Sequence, residues 1–180
     1  MHLYDFLLNS NTAASSEDAA FLSKNVELCS FEYVEDFWSY WNNMPQPSRA
    51  FESIDFNLNG YALFKHGIQP NPKDPKFSSG GMYFCEANIA SHHLDEFWMS
   101  LVLSLIGETL EKEEDIVGAR VVDVSPDLRE KLFRIELWFE VNDESAKRPA
   151  LENMVSLLAG HGLKKLPLPD FSWAPISTTA

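Results

Sequence analysis

The chain has 180 residues, 45% of them hydrophobic, and a formal net charge of −13 at pH 7 from 14 basic and 27 acidic residues. A chain of this length and composition is expected to fold as one domain over residues 1–180, and to bury about 70% of the surface that its unfolded form exposes. The negative charge excludes proteins that hold long DNA or RNA by general neutralisation of phosphates, so a nucleic acid ligand should be short and bound at one local site.

The cysteines and the N-terminal region indicate the cellular compartment of the protein. Cys29 and Cys85 are isolated and show no metal-binding or redox spacing, so we expect reduced thiols. The apolar run at 6–8 is short and has no basic leader, and no uncharged stretch approaches the roughly 18 residues that a membrane span needs. We therefore expect a cytoplasmic protein with no targeting signal and no membrane partner.

In the first half of the chain, the pattern predicts four short strands and one helix. Apolar residues recur at helical spacing over 34–43, and acidic residues lie at the positive end of the helix dipole. The proline-containing segments 44–57 and 67–80 are expected to be connections without regular structure. Strands are expected at 3–8, 26–30, 61–66 and 82–87.

The second half predicts two further helices and three strands. The segment 94–110 is apolar nearly all round its helix, so it is either buried on most faces or partly a docking surface. Strands at 117–124 and 132–141 are expected to form a hairpin, followed by a helix at 146–158 and a last strand at 170–176. This order favours an α+β domain, with helices on one face of the sheet and an open face opposite.

Trp138 lies on the polar face of its predicted strand. In the run 133–140, alternation places four apolar side chains on one face. The other face carries Arg134, Glu136, Trp138 and Glu140. A large aromatic beside a cation is either a single packing residue under a loop or the wall of a site for a flat, charged ligand.

Several short blocks of sequence follow one another along the chain. They are Val34-Glu35-Asp36-Phe37-Trp38, Leu63-Phe64-Lys65-x-Gly67-Ile68-x-Pro70, Gly80-Gly81, Asp95-x-Phe97-Trp98 leading into Leu105-Ile106-Gly107-Glu108, Gly118-Ala119 and Ile135-x-Leu137-Trp138. In this order and near this spacing, the chain resembles the eukaryotic mRNA cap-binding translation initiation factor 4E family over about residues 21–177. The resemblance implies a curved antiparallel sheet backed by three helices on its convex face, which binds 7-methylguanosine in the concave face.

The chemistry of such a ligand explains the residues that its site needs. Methylation at N7 gives the base a delocalised positive charge, so stacking between aromatic rings gains a cation–π contribution. A carboxylate is needed to accept the guanine N1 and N2 hydrogens, and basic side chains are needed for the phosphates.

At the positions that would contact the guanine base, the chain matches the family only in part. Phe21 falls where the family has its first stacking Trp. The second stacking Trp falls on Pro72, and the Glu that reads guanine falls on Lys73. Proline has no extended ring and no backbone N–H, and lysine cannot accept the guanine hydrogens.

Three nearby residues are candidates to replace the missing groups. Asp74 is a candidate acceptor for the guanine edge, and Phe77 or Tyr83 is a candidate for the second ring. The alternative is that these are ordinary packing residues of the loop and sheet.

The positions that would bind the cap phosphates match the family better than those that would contact the base. Arg129, Lys131 and Arg134 fall on its three basic positions, and Trp138 falls where a ring packs against the N7-methyl group. Met82 stands where the family commonly has an arginine. The alternative is that this region is a solvated, charged hairpin tip.

The convex face is the second site that the resemblance implies. The family binds there a peptide of the Tyr-x-x-x-x-Leu-hydrophobic type, from a scaffold of the initiation factor 4G type or from a 4E-binding repressor. Ser100 replaces a usual Glu, and the alternative is that the matching side chains are ordinary core. The matching positions are Val34, Trp38, Met99, Leu103 and Gly107.

Other chemistries are weakly indicated. His92-His93 and Cys85 lack a repeated ligand spacing, so we expect no metal, and no Ser or Cys nucleophile has a His partner at a recognised spacing. We therefore expect no cofactor and no catalysis, although a small enzyme that uses the concave pocket remains a third hypothesis.

The sequence predicts a protein that binds the capped 5′ end of mRNA and passes it to a scaffold. The alternative is a cap-independent or weakly cap-binding interaction module.

Overall fold

The structure, a computed structural model, describes residues 4–10, 25–53, 58–72, 77–110, 115–126, 131–160 and 170–176. These residues form seven strands and four helices. The strands are β1 (Tyr4–Ser10), β2 (Asn25–Phe31), β3 (Leu58–Lys65), β4 (Gly81–Ala87), β5 (Ile116–Asp123), β6 (Phe133–Phe139) and β7 (Ser172–Pro175). The helices are α1 (Val34–Trp41), α2 (Pro47–Glu52), α3 (Ser91–Ile106) and α4 (Glu144–Gly160).

The described strands form one antiparallel sheet in the order β2-β1-β3-β5-β6-β4-β7. The predicted hairpin of β5 and β6 is confirmed, and its register places Arg120 opposite Glu136 and Gly118 opposite Trp138. An added Cβ at Gly118 would lie 2.5 Å from the carbonyl oxygen of Leu63, so only glycine fits between these strands.

The main core lies between the helices and one face of the sheet. Ile135 and Leu137 of β6 pack there with α3 residues such as Phe97, because alternate side chains of a strand point to the same face. Phe6 of β1 contacts Trp41 of α1 and Trp98 of α3, each with ring centroids 6.2 Å apart. Both α1 and α3 therefore pack over β1 through these tryptophans.

A second, smaller apolar cluster lies on the opposite face, which we call the concave face because the sheet is curved. Its described members come from strands and loops, whereas the helices contribute to the main core. The buried members are Leu7, Ala62, Phe64, Phe77, Met82, Val117, Trp138 and Ile176.

The segment 44–57 is not entirely irregular, so that expectation is wrong. Pro47 starts α2, since the first turn of a helix does not use the N–H that proline lacks. Asp95 of α3 accepts a hydrogen bond from the Ser48 backbone N–H at 2.9 Å and another from its hydroxyl. The sheet is therefore backed by four described helices instead of three, of which α2 is the shortest.

The helix α3 ends earlier than the sequence predicted. Gly107 caps it, and Glu108 has a φ of 53°, which a helix cannot continue through. Among the described helices, none combines the length and the hydropathy that a membrane crossing requires.

Candidate functional site

A buried carboxylate organises the centre of the concave face. Glu136 is 1% exposed and accepts hydrogen bonds from Arg120 Nε at 2.9 Å, Arg120 Nη2 at 3.0 Å and Arg134 Nε at 2.7 Å. The indole Nε1 of Trp138 donates to the same carboxylate at 2.9 Å. Burial raises the pKa of Glu136, but the charges and hydrogen bonds of the two guanidinium groups outweigh burial and hold this pKa below its usual range. The ionised carboxylate therefore fixes two arginines and one tryptophan.

Arg134 is held on three sides. Its guanidinium lies over the Phe84 ring, with Cζ 4.2 Å from the ring centroid. Its Nε donates to Glu136, and its Nη1 donates to Oε1 of Glu86 at 3.2 Å. The Arg134 side chain remains 22% exposed, so part of this cation faces solvent.

Lys131 lies close to Arg134 in sequence, just before β6. Its Nζ is 3.6 Å from Oδ2 of Asp123, and its side chain is 25% exposed. The structure therefore places two of the three predicted phosphate-binding cations at one end of β6, each paired with a carboxylate. Arg129, the third, lies outside the described residues.

Trp138 is packed by its own chain. The ring is 0% exposed and makes edge contacts with Phe64 at 5.5 Å and Phe77 at 5.1 Å between centroids. Arg120 Cζ lies 5.7 Å from the Trp138 ring centroid. A ligand reaches this ring only if a covering side chain moves, so the predicted contact with a methyl group stays a prediction.

The two candidates for the second stacking ring lie on opposite faces of the sheet. Phe77 is 2% exposed and belongs to the concave-face cluster. Tyr83 is buried in the main core, where its hydroxyl donates to the Glu144 carbonyl at 3.0 Å. The expectation that Tyr83 lines the concave face is wrong, because the pleat turns it towards the helices.

Four residues of this face were missed by sequence reasoning as site residues. Alternation along β4 places Phe84 and Glu86 on the face of Trp138, and alternation along β5 does the same for Arg120. Alternation along β6 also places Glu136 on the polar face, but it assigns this carboxylate no role. The signal that identifies them is the register of β4 and β5 against β6.

The base-reading positions are largely outside the described residues. Phe21 and Asp74 both lie there, as does Lys73. Pro72 is described and half-buried. The roles of Phe21 and Asp74 therefore stay predictions.

The residues predicted to bind a partner lie on the helix side of the sheet, and we call them the helix-side patch. Val34 is 42% exposed and Trp38 is 37% exposed on α1, so Trp38 is not an ordinary core residue. On α3, Met99 and Leu103 are half-buried against the main core. Gly107 is exposed at the end of α3. The patch consists of Val34, Trp38, Met99, Leu103 and Gly107.

A metal site needs several ligating side chains close together. His92 and His93 have ring centroids 3.9 Å apart. Among the residues that the structure describes, no three His, Cys, Asp or Glu side chains are grouped to hold a metal ion. Cys29 and Cys85 are both buried free thiols.

Comparison with known proteins assigns the fold and the sequence to one family. The family model described as "Eukaryotic initiation factor 4E" matches residues 2–165. The chain belongs to the initiation factor 4E family.

Curated relatives of the initiation factor 4E family match about two thirds of the chain. Eukaryotic translation initiation factor 4E-1 of Arabidopsis thaliana is 33% identical over 128 residues, which cover 71% of this chain and 49% of the relative. Eukaryotic translation initiation factor 4E1 of Drosophila melanogaster is 34% identical over 122 residues, which cover 67% of this chain and 43% of the relative. The chain thus spans about half the length of these relatives.

Solved structures of initiation factor 4E proteins share the fold. A complex of C. elegans eIF4E-3 with the 4E-binding protein Mextli has a TM-score of 0.74 at 20% identity, and covers 98% of this chain and 92% of that one. Ascaris suum eIF4E-3 with m7G cap has a TM-score of 0.74 at 22% identity, covering 100% and 91%. The predicted α+β fold with a curved antiparallel sheet is confirmed.

Proposed function

We propose that the protein binds the 7-methylguanosine cap of mRNA on the concave face and recruits the mRNA to a partner protein through the helix-side patch. Membership of the initiation factor 4E family supports this proposal. Solved structures with the same fold support both cap binding and partner binding. The structure of Ascaris suum eIF4E-3 contains an m7G cap, and that of a schistosome eIF4E contains m7GpppA and 4E-BP.

The observation that carries the cap proposal is the pair of arginines around Glu136. The chain has a net charge of −13, yet Arg120 and Arg134 converge on one carboxylate of the concave face. Guanidinium groups bind phosphate oxygens through charge-assisted hydrogen bonds. Lys131, three residues before Arg134, adds a further cation for the phosphates that follow the base.

For the base itself, we retain the residues that the sequence predicted and the structure does not exclude. Phe21 stacks on one side, and Asp74 accepts the guanine hydrogens. Phe77 and Trp138 contribute after the covering side chains rearrange, because neighbouring side chains bury both rings.

For the partner, we propose a scaffold of the initiation factor 4G type or a 4E-binding repressor. Either inserts an amphipathic segment against Val34 and Trp38 of α1 and the neighbouring surface of α3. The protein acts in the cytoplasm, where capped mRNA is translated, and it performs no catalysis.

Titration of 7-methyl-GTP, followed by intrinsic tryptophan fluorescence, tests the cap proposal. We expect saturable quenching that plain GTP does not reproduce, since uncharged guanine lacks the cation–π contribution. Arg134→Gln should weaken binding by about ten- to a hundredfold, as expected for a lost charged hydrogen bond. No saturable signal at millimolar ligand would contradict the proposal.

The matched control is Arg148→Gln, which removes the same charge from an arginine that is 70% exposed on α4. This variant should bind 7-methyl-GTP like the wild type. A denaturant melt of each variant separates lost affinity from lost folding.

A second candidate function is a cap-independent interaction module. The full burial of Trp138 and the proline at position 72 favour it. In that case a Tyr-x-x-x-x-Leu-hydrophobic peptide binds, whereas 7-methyl-GTP gives no saturable signal.

A further inference from the structure

The arginines of the concave face contact two carboxylates of different character. Glu136 is 1% exposed and accepts four hydrogen bonds from three side chains. The Glu86 side chain is 46% exposed and contacts Arg134 through one hydrogen bond of 3.2 Å. Glu136 is therefore a permanent part of the site, and Glu86 is a replaceable partner.

The contact between Glu86 and Arg134 is fixed by the sheet. The two residues are directly opposite in the β4–β6 pair, and side chains at such positions interact across the strands. Arg134 is meanwhile held by Glu136 and by the Phe84 ring. The guanidinium thus keeps its position when Glu86 leaves, and Nη1 is the group that becomes available.

The charges around Arg134 show what takes the place of Glu86. The buried Glu136 shares its negative charge between Arg120 and Arg134, so it neutralises Arg134 only in part. At the surface, the exposed Glu86 carboxylate contributes a second negative charge beside Arg134. An exposed ion pair contributes little to stability, so a phosphate with more negative charge and several acceptor oxygens displaces the carboxylate at small cost.

We propose that Glu86 acts as an internal competitor for the anion site at Arg134 and thereby sets the affinity of the concave face for the phosphates of its ligand. The proposal rests on the proposed function for the identity of that ligand, and it adds the residue that tunes its affinity. Arg120 and Glu136 are positioning residues, because they act on the phosphate through Arg134.

The test measures binding of inorganic tripolyphosphate, 7-methyl-GTP and 7-methylguanosine by calorimetry at low ionic strength. Glu86→Gln should bind the two phosphate ligands about two- to fivefold more tightly than the wild type, as expected from the strength of an exposed ion pair. The gain should shrink at high salt, since exposed charges are screened. Affinity for 7-methylguanosine, which has no phosphate, should not change.

Two variants make the test specific. Glu32→Gln removes the same charge from an exposed residue between β2 and α1, and it should bind like the wild type. Combining Glu86→Gln with Arg134→Gln should abolish the gain, since the competitor acts only through that cation.

The outcomes separate this inference from the proposed function. The inference is overturned if Glu86→Gln and the wild type bind tripolyphosphate equally, or if neither binds it. In either case, saturable binding of 7-methyl-GTP by the wild type would still support the proposed function. A gain for tripolyphosphate without any binding of 7-methyl-GTP supports the competitor and contradicts cap binding.

Discussion

The carboxylate of Glu136 accepts a hydrogen bond from the indole Nε1 of Trp138, two residues further along β6, at 2.9 Å. Residues two apart on a strand share a face, so the bond needs no contribution from the rest of the fold. It satisfies the polar end of a fully buried aromatic, which would otherwise lose a hydrogen bond to water. The polar face of β6 is therefore not solvated, because the side chains of Glu136 and Trp138 form a small buried hydrogen-bond network there.

Removal of the Glu136 carboxylate should destabilise the protein strongly. Glu136→Ala leaves two partly buried guanidinium groups without their carboxylate and the Trp138 N–H without its acceptor. We expect the free energy of unfolding to fall by about 3–5 kcal/mol, as for a broken buried ion pair. Urea denaturation measures the change.

The control for this variant is Glu140→Ala. Glu140 is exposed at the end of β6, so its replacement should change the free energy of unfolding by no more than about 0.5 kcal/mol. If both variants changed stability equally, the network would not have the structural role assigned to it.

The pair of Asp5 and His66 should make stability depend on pH. Nδ1 of His66 lies 2.7 Å from Oδ1 of Asp5, and this hydrogen bond and the charge of Asp5 raise the pKa of His66 above its ordinary 6.5. Burial raises the pKa of Asp5, but its bonds to His66, Gly67 and Ser30 outweigh burial and lower it.

The direction of the pH dependence of stability follows from the raised pKa of His66. The contribution of charged His66 is fully present below the unfolded-state pKa of 6.5, and is lost as the pH rises through the folded-state pKa. The stability difference between the wild type and His66→Gln should therefore shrink from about pH 5 to about pH 8. A constant difference, or a ring titration by NMR with its midpoint at or below 6.5, would contradict this assignment.

Gly81 should not tolerate a side chain while Trp173 is present. An added Cβ at Gly81 would lie 2.1 Å from Cζ2 of Trp173 in the neighbouring strand β7. Gly81→Ala should lower the free energy of unfolding by about 1–3 kcal/mol, as overpacking does. In a Trp173→Ala background the same change should cost less, because the clash is gone. Equal costs in the two backgrounds would show that β7 does not pack on Gly81.

The two thiols should be unreactive in the folded protein. Burial raises the pKa of Cys85 to about 12 and the pKa of Cys29 to about 11. Thiolate is the reactive form, so a thiol reagent such as dithionitrobenzoate should modify neither residue at neutral pH. Both should react at once when urea is added, and rapid modification without denaturant would refute their burial.

Trp38 should be needed for the partner and dispensable for the cap. Trp38→Ala should weaken binding of a Tyr-x-x-x-x-Leu-hydrophobic peptide by about 2 kcal/mol or more, as for an aromatic hot spot. Its cap affinity should stay within a few fold of the wild type, because the proposed cap site lies on the other face of the sheet. Fluorescence anisotropy of a labelled peptide gives the first value.

Tyr40→Ala provides the comparison for Trp38. Tyr40 is 42% exposed on the same helix and points about 200° away around it. Unchanged peptide binding in this variant, with loss in Trp38→Ala, locates the contact. Equal binding by both variants would refute the assigned face.

The strands and the faces of the sheet were predictable, because alternation depends on local sequence alone. The prolines do not predict the helix α2, because proline breaks the interior of a helix, whereas Pro47 occupies the first helical turn. The Glu136 network was not predictable in the same way: Arg120 and Glu86 reach β6 through the registers of β5 and β4. Register between strands depends on long-range packing, which one sequence does not reveal.

The sheet order has a consequence for biosynthesis. Strand β4 pairs with β6 and β7, both of which follow it in the chain. On the ribosome, β4 therefore emerges before either neighbour exists, and its backbone stays unpaired until the β5–β6 hairpin has been made. In the nascent chain the stretch Met82-Tyr83-Phe84 is an apolar segment with open hydrogen-bonding groups, and such a segment is exposed to self-association until its partner strands arrive.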